Sequence, residues 1–66
     1  YGGTHLLPVF EYADVNDQLV FYTDGGFWDI DNIHLASKFK YKPVFILTDS
    51  WYTDSISKHA HVITTY

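Results

Sequence analysis

Residues able to do chemistry are sparse in this chain. His59-Ala60-His61 has the most metal-like spacing, because alternate residues of a strand point to one face and two imidazoles there could share an ion. His5, His34 or Asp54 would have to complete such a set. Strands often carry His-x-His without a metal, and no carboxylate run has the pattern of a calcium loop. Surface or interface histidines are the simpler reading, and no cofactor is expected. Nucleophilic catalysis has less support still. Cys is absent, and Ser50, Ser55 and Ser57 lie outside any Gly-x-Ser-x-Gly elbow. Asp29 with Asp31, and Asp14 with Asp17, pair carboxylates as an acid–base couple would. Such a couple needs a desolvated cleft, and each pair sits where a turn or a helix cap would use it. Asp24-Gly25-Gly26 lacks the further Gly and the Lys of a phosphate loop and reads as a turn. No enzymatic activity is expected.

Charge and aromatic side chains carry more information. The formal net charge is −4 and all four basic residues are lysines, so guanidinium, the preferred group for phosphate recognition, is missing. Direct nucleic-acid binding is not expected. Glu11, Asp14, Asp17, Asp24, Asp29 and Asp31 precede the first lysine, whereas Lys38, Lys40 and Lys42 cluster just past the middle. An acidic surface attracts basic partners and speeds their encounter; the competing explanation is that Asp is simply favoured in turns. Aromatic residues make up 20% of the chain, more than so small a core can hide. Tyr and Trp left outside are stiff, amphipathic contact residues typical of binding hot spots. Trp51-Tyr52, flanked by Asp49 and Asp54, and Trp28, after the Gly-Gly turn, are the candidates; their alternative fates are to fold back over the core or under a helix start. The expected contact set is Glu11, Asp14, Asp17, Asp24, Trp28, Asp29, Asp31, Trp51 and Tyr52.

The elements that must position these residues read as follows. Residues 4–13 are apolar and aromatic and suggest a first strand, at a sheet edge or bulged because Pro8 cannot donate to a ladder. Asp14-Val-Asn-Asp17 is a turn cluster, and residues 18–23 form a second strand closing a hairpin. Ile33, Leu35, Ala36 and Phe39 share a helical face, which predicts a helix over 31–39. Against it, Lys38-Phe39-Lys40-Tyr41-Lys42 alternates with the period of a strand. Residues 44–48 are a continuous apolar run, expected as a central strand buried on both faces. Thr53-Asp54-Ser55 can cap a helical turn, and residues 59–66 alternate as a last strand. The predicted architecture is α+β, an antiparallel-rich β-β-α-β-β sheet with one helix across a face.

Sixty-six residues allow one small domain, 1–66. Such a chain buries only about 60% of its unfolded surface and is marginal by itself. Without Cys it cannot use disulfides, so self-association or assembly into a larger complex is expected. The aromatic content and low charged fraction are the reverse of a disordered composition. No run approaches the roughly 20 apolar residues of a membrane helix, and no basic leader is visible. A soluble chain is expected, in no particular compartment. Tyr1 at the start and the lack of Met are expected of an excised domain or processed fragment.

Two families bear comparison. Val9-Phe10-Glu11-Tyr12, Asp17-Gln18-Leu19-Val20-Phe21, Asp24-Gly25 and Phe27-Trp28-Asp29-Ile30 resemble the opening of SH3 domains, whose first strand precedes an acidic loop and a Leu-x-Phe strand. The family's later Gly-Tyr-x-Pro-x-Asn-Tyr element is replaced by His61-Val62-Ile63-Thr64-Thr65-Tyr66. That resemblance implies an all-β barrel that binds proline-rich peptides through Tyr12, Trp51 and Tyr66. In size, acidity and element order the chain is also similar to small phage inhibitors of uracil-DNA glycosylase. This second likeness implies a DNA mimic that occupies the basic site of a nucleic-acid enzyme. The leading expectation is a non-enzymatic protein-binding domain whose acidic face and exposed Tyr and Trp meet a larger, basic protein.

Overall fold

The computed structural model describes residues 4–66; the expectation drawn from Tyr1 lies outside them. Its element order is α1 (Leu7–Tyr12), β1 (Val20–Thr23), a 3₁₀ helix (Ile30–Lys38), β2 (Val44–Leu47), α2 (Thr53–Ser57) and β3 (His61–Thr64). The strands form one sheet in the order β1-β2-β3, and both pairings are parallel. Helix and strand share the chain, but the antiparallel β-β-α-β-β sheet is overturned and no barrel closes. Each strand returns to the same edge through a helical crossover, as a parallel sheet requires.

The first correction is local. Residues 4–13 are not a strand: Leu7–Tyr12 is helical, with Pro8 in the first turn, where the missing N–H is no loss. Leu6, Val9, Phe10 and Ala13 all pack into the core, which is helical spacing along one face. The Asp14–Asp17 cluster is a turn, but it joins α1 to β1 rather than closing a hairpin. The 3₁₀ helix occupies the predicted helical region. Ile30, Ile33, Ala36 and Phe39, spaced by three, are buried or packed on the core; a helix of 3.0 residues per turn stacks such a row on one line. The alternating lysine segment is not a strand, although Phe39 is buried while Lys38, Lys40 and Lys42 are exposed.

β2 is central, as its apolar run predicts, but it is buried on one face only. Phe45 and Leu47 are fully buried, while Val44 and Ile46 are half-buried. All five phenylalanines lie in the core. Phe21 and Phe45, paired in register, stack at 4.3 Å, and Phe27 meets both edge-on. Phe10 bridges from α1 to Phe21 and Phe39. Each described tyrosine and tryptophan is exposed. The aromatic excess therefore divides by type, apolar rings inside and rings with a polar handle outside. No helix among the described residues is long and apolar enough to cross a membrane.

Candidate functional site

Parallel pairing brings the carboxyl ends of β1 and β2 to one edge, where Asp24 follows Thr23, the last residue of β1, and Thr48-Asp49 follows Leu47, the last residue of β2. The turn after β1 is held by its own side chains. Thr23 Oγ1 accepts the Gly25 N–H at 3.1 Å, and Asp24 Oδ1 accepts the Gly26 N–H at 2.8 Å. These amides are thus committed within the turn and are not turned toward an anion. Gly25 has φ +85°, and a Cβ there would strike the Trp51 carbonyl oxygen. Glycine is therefore what lets the two turns touch. After β2, Ser50 donates its N–H to Asp49 Oδ1, and the chain passes through Tyr52 in the left-handed region, φ 52° and ψ 25°, before α2. A positive φ is uncommon for a bulky side chain.

Between the turns lies a groove of about 360 Å³ lined by Asp24, Gly26, Phe27, Trp28, Trp51 and Tyr52. Phe27 is its buried floor. Trp28 is 82% exposed, Trp51 56% and Tyr52 45%. The Trp28 backbone is nevertheless anchored, since its main-chain N–H donates to the Thr4 carbonyl at 2.9 Å. The Trp51 and Tyr52 rings lie 6.4 Å apart and tilted by 49°. Asp24 is exposed and supplies the charge, and no lysine lines the groove. A shallow cleft of about 420 Å³ continues past Tyr52 along Ser50, Thr53, Asp54, Ser55 and Tyr66. Aromatic walls beside a carboxylate suit a cationic or amphipathic side chain, held by ring faces and by charge.

Of the expected contact set, Asp24, Trp28, Trp51 and Tyr52 meet here. The remaining members lie elsewhere. Glu11 is exposed on α1. Asp14 and Asp17 stand at the amino end of β1 and are engaged in their own turn: Asp14 Oδ1 accepts from Asn16, and Asp17 Oδ2 accepts the Asp14 N–H. β1, about 13 Å long at four residues, separates them from Asp24. Asp31 lines a third cleft, with His34, Lys58 and His59.

Asp29 has a structural task. Its carboxylate accepts the Leu6 N–H at 2.7 Å and the Leu7 N–H at 2.8 Å, capping α1 from more than 20 residues away. Asn32 Nδ2 donates to it as well. Burial pushes the Asp29 carboxyl upward, but the hydrogen bonds from Leu6, Leu7 and Asn32 outweigh burial and hold it below its ordinary value of 3.8.

The candidate metal pair is divided. His61 begins β3, while His59 precedes the strand and lines the cleft with Asp31. Among the described residues no three His, Cys, Asp or Glu side chains are placed to hold an ion. Tyr12 ends α1, whereas Trp51 and Tyr66 lie at the carboxyl edge. Phe27 is absent from the expected contact set, and Tyr66 enters only through the SH3 resemblance; the signal for both is position, one floor and one rim residue beside strand ends. Comparison with protein-family models, with curated proteins and with solved structures found no match.

Proposed function

We propose that this chain is a non-enzymatic protein-binding domain that holds a basic segment of a partner in the groove at the carboxyl edge of its sheet. The observation that supports the reading is the convergence of exposed Trp28, Trp51 and Tyr52 around Asp24. Trp and Tyr contribute large contact area at small entropic cost, and a ring face beside a carboxylate favours Lys or Arg. The domain's net charge of −4 steers a basic partner toward it. Glu11, Asp14 and Asp17 act at long range only, and Asp29 is committed to capping α1.

Affinity capture with the wild-type chain and with the Trp28→Ala/Trp51→Ala variant, quantified by mass spectrometry, tests the reading. A partner with a basic segment retained by the wild type and lost by an equally folded variant is expected. Equal recovery by both proteins would rule out the groove as the contact.

A further inference from the structure

At about 360 Å³ the groove between the two turns lies at the small end of ligand pockets, the size for a single side chain. A methyl placed on Gly26 would lie 3.2 Å from Asp24 Oδ1 and 3.7 Å from Trp51 Cγ, so the carboxylate and the indole flank one spot. The Trp51 and Tyr52 rings, 6.4 Å apart and tilted by 49°, are not stacked on each other but form a corner. A cation set in that corner reaches both ring centroids within about 6 Å, the range of a cation–π contact. Trp28, two residues beyond Gly26, is the most exposed of the three rings and adds a further wall. We propose that the groove binds an N-methylated lysine of the partner, with dimethyllysine as its preferred form. The inference rests on the proposed function, since it names the residue of the basic segment that the groove holds.

Hydrogen-bonding capacity separates the candidate cations. Among the described residues lining the groove, Asp24 is the single charged group. Its Oδ1 already accepts the Gly26 N–H at 2.8 Å, and among the described residues no donor meets Oδ2. The two indoles can donate but not accept. An unmodified lysine brings three N–H donors and an arginine five. Donors turned toward ring faces lose water without gaining an acceptor, which is costly. Methylation keeps the charge and replaces N–H groups by apolar methyls. Dimethyllysine retains one N–H to match Asp24 Oδ2 and sets its methyls against the rings. Trimethyllysine has no N–H left and meets the carboxylate by charge alone.

The walls are also set in advance of binding. Gly25 against the Trp51 carbonyl locks the two turns together, the left-handed Tyr52 backbone turns the chain into α2, and the Trp28 main chain is tied to Thr4. A site held this way loses little freedom when it is filled, which favours the ligand that matches it.

The probes are capped pentalysine peptides whose central lysine is unmodified, dimethylated or trimethylated, with a fourth peptide carrying the uncharged carbon isostere of trimethyllysine there. Each is titrated calorimetrically into the full chain. The dimethyl peptide should bind about tenfold more tightly than the unmodified one, and more tightly than the trimethyl and uncharged forms. Asp24→Asn, whose amide oxygen can still accept the Gly26 N–H, should erase the preference for dimethyl over trimethyl. The Trp28→Ala/Trp51→Ala variant, altered at two exposed positions, should bind all three lysine forms equally weakly. Dimethylammonium chloride at the peptide's concentration should not displace the dimethyl peptide; if it does, the ligand is a free methylated amine and the proposal fails. Equal affinity for the three lysine forms would overturn the methyllysine inference and leave the basic groove standing, whereas no binding of any of them would remove both. Tightest binding of the trimethyl or uncharged form, or a dimethyl preference that survives Asp24→Asn, would likewise overturn the inference.

Discussion

Gly25 packs against the carbonyl oxygen of Trp51 so closely that no side chain fits between them. The contact joins the turn after β1 to the turn after β2, and so sets where Trp28 and Trp51 stand. At Gly25→Ala the new methyl meets that oxygen, and the residue must keep φ near +85°, a conformation costing an L-residue about 1–2 kcal/mol before any clash. We expect a loss of at least about 2 kcal/mol, read as a fall of roughly 10 °C in melting temperature by circular dichroism. Gly26→Ala is the control. Its methyl would lie 3.2 Å from Asp24 Oδ1, a side chain that can yield, and the melt should shift much less.

Asp29 and α1 make the domain acid-sensitive. The folded carboxyl titrates below 3.8, so in the acid range the unfolded chain binds more protons and stability rises with pH. The contribution is complete above the ordinary carboxylate range. It drains away as pH falls below about 4 and through the lowered folded value. Asp29→Asn should lower stability at pH 7 and flatten this part of the stability–pH curve, measured by urea unfolding at several pH values. An unchanged acid limb in the variant would show that other carboxylates control it. Asp29→Ala, which frees the Leu6 and Leu7 N–H groups, should cost about 1–2 kcal/mol.

Tyr52 separates the demands of folding from those of binding. Its backbone is left-handed, a state glycine adopts freely and β-branched residues resist. Tyr52→Gly should leave stability within about 1 kcal/mol of wild type, because relief of backbone strain offsets the added freedom of the unfolded chain. Tyr52→Val should destabilise by about 1–2 kcal/mol. Both variants should bind a basic partner more weakly, since both lose the ring. A Tyr52→Gly variant of undiminished affinity would remove Tyr52 from the contact.

The parts of the fold legible in the sequence are those written locally. The apolar run at Val44–Leu47 is the central strand, and the 3₁₀ helix lies where Ile33, Ala36 and Phe39 suggest one. α1 has the appearance of an edge strand because of the aromatic and β-branched residues around Pro8, although Leu6, Val9, Phe10 and Ala13 carry helical spacing. Strand direction was not legible. β1 alternates exposed and buried residues, as a half-solvated antiparallel strand would, and its true partner begins more than 20 residues later. The groove inherits that problem: each aromatic and Asp24 stands out by type, but they converge only because β1 and β2 end at the same edge.

The proposed function requires the groove to accept positive charge. Trp28 and Trp51 are the chain's two tryptophans, and both line the groove, so intrinsic fluorescence reports on it directly. The chain is titrated with an oligolysine peptide and, separately, with oligoglutamate. We expect a saturable emission change with oligolysine that weakens as salt screens the charge and is lost in Asp24→Asn. No response to oligolysine, or an equal response to oligoglutamate, would contradict it.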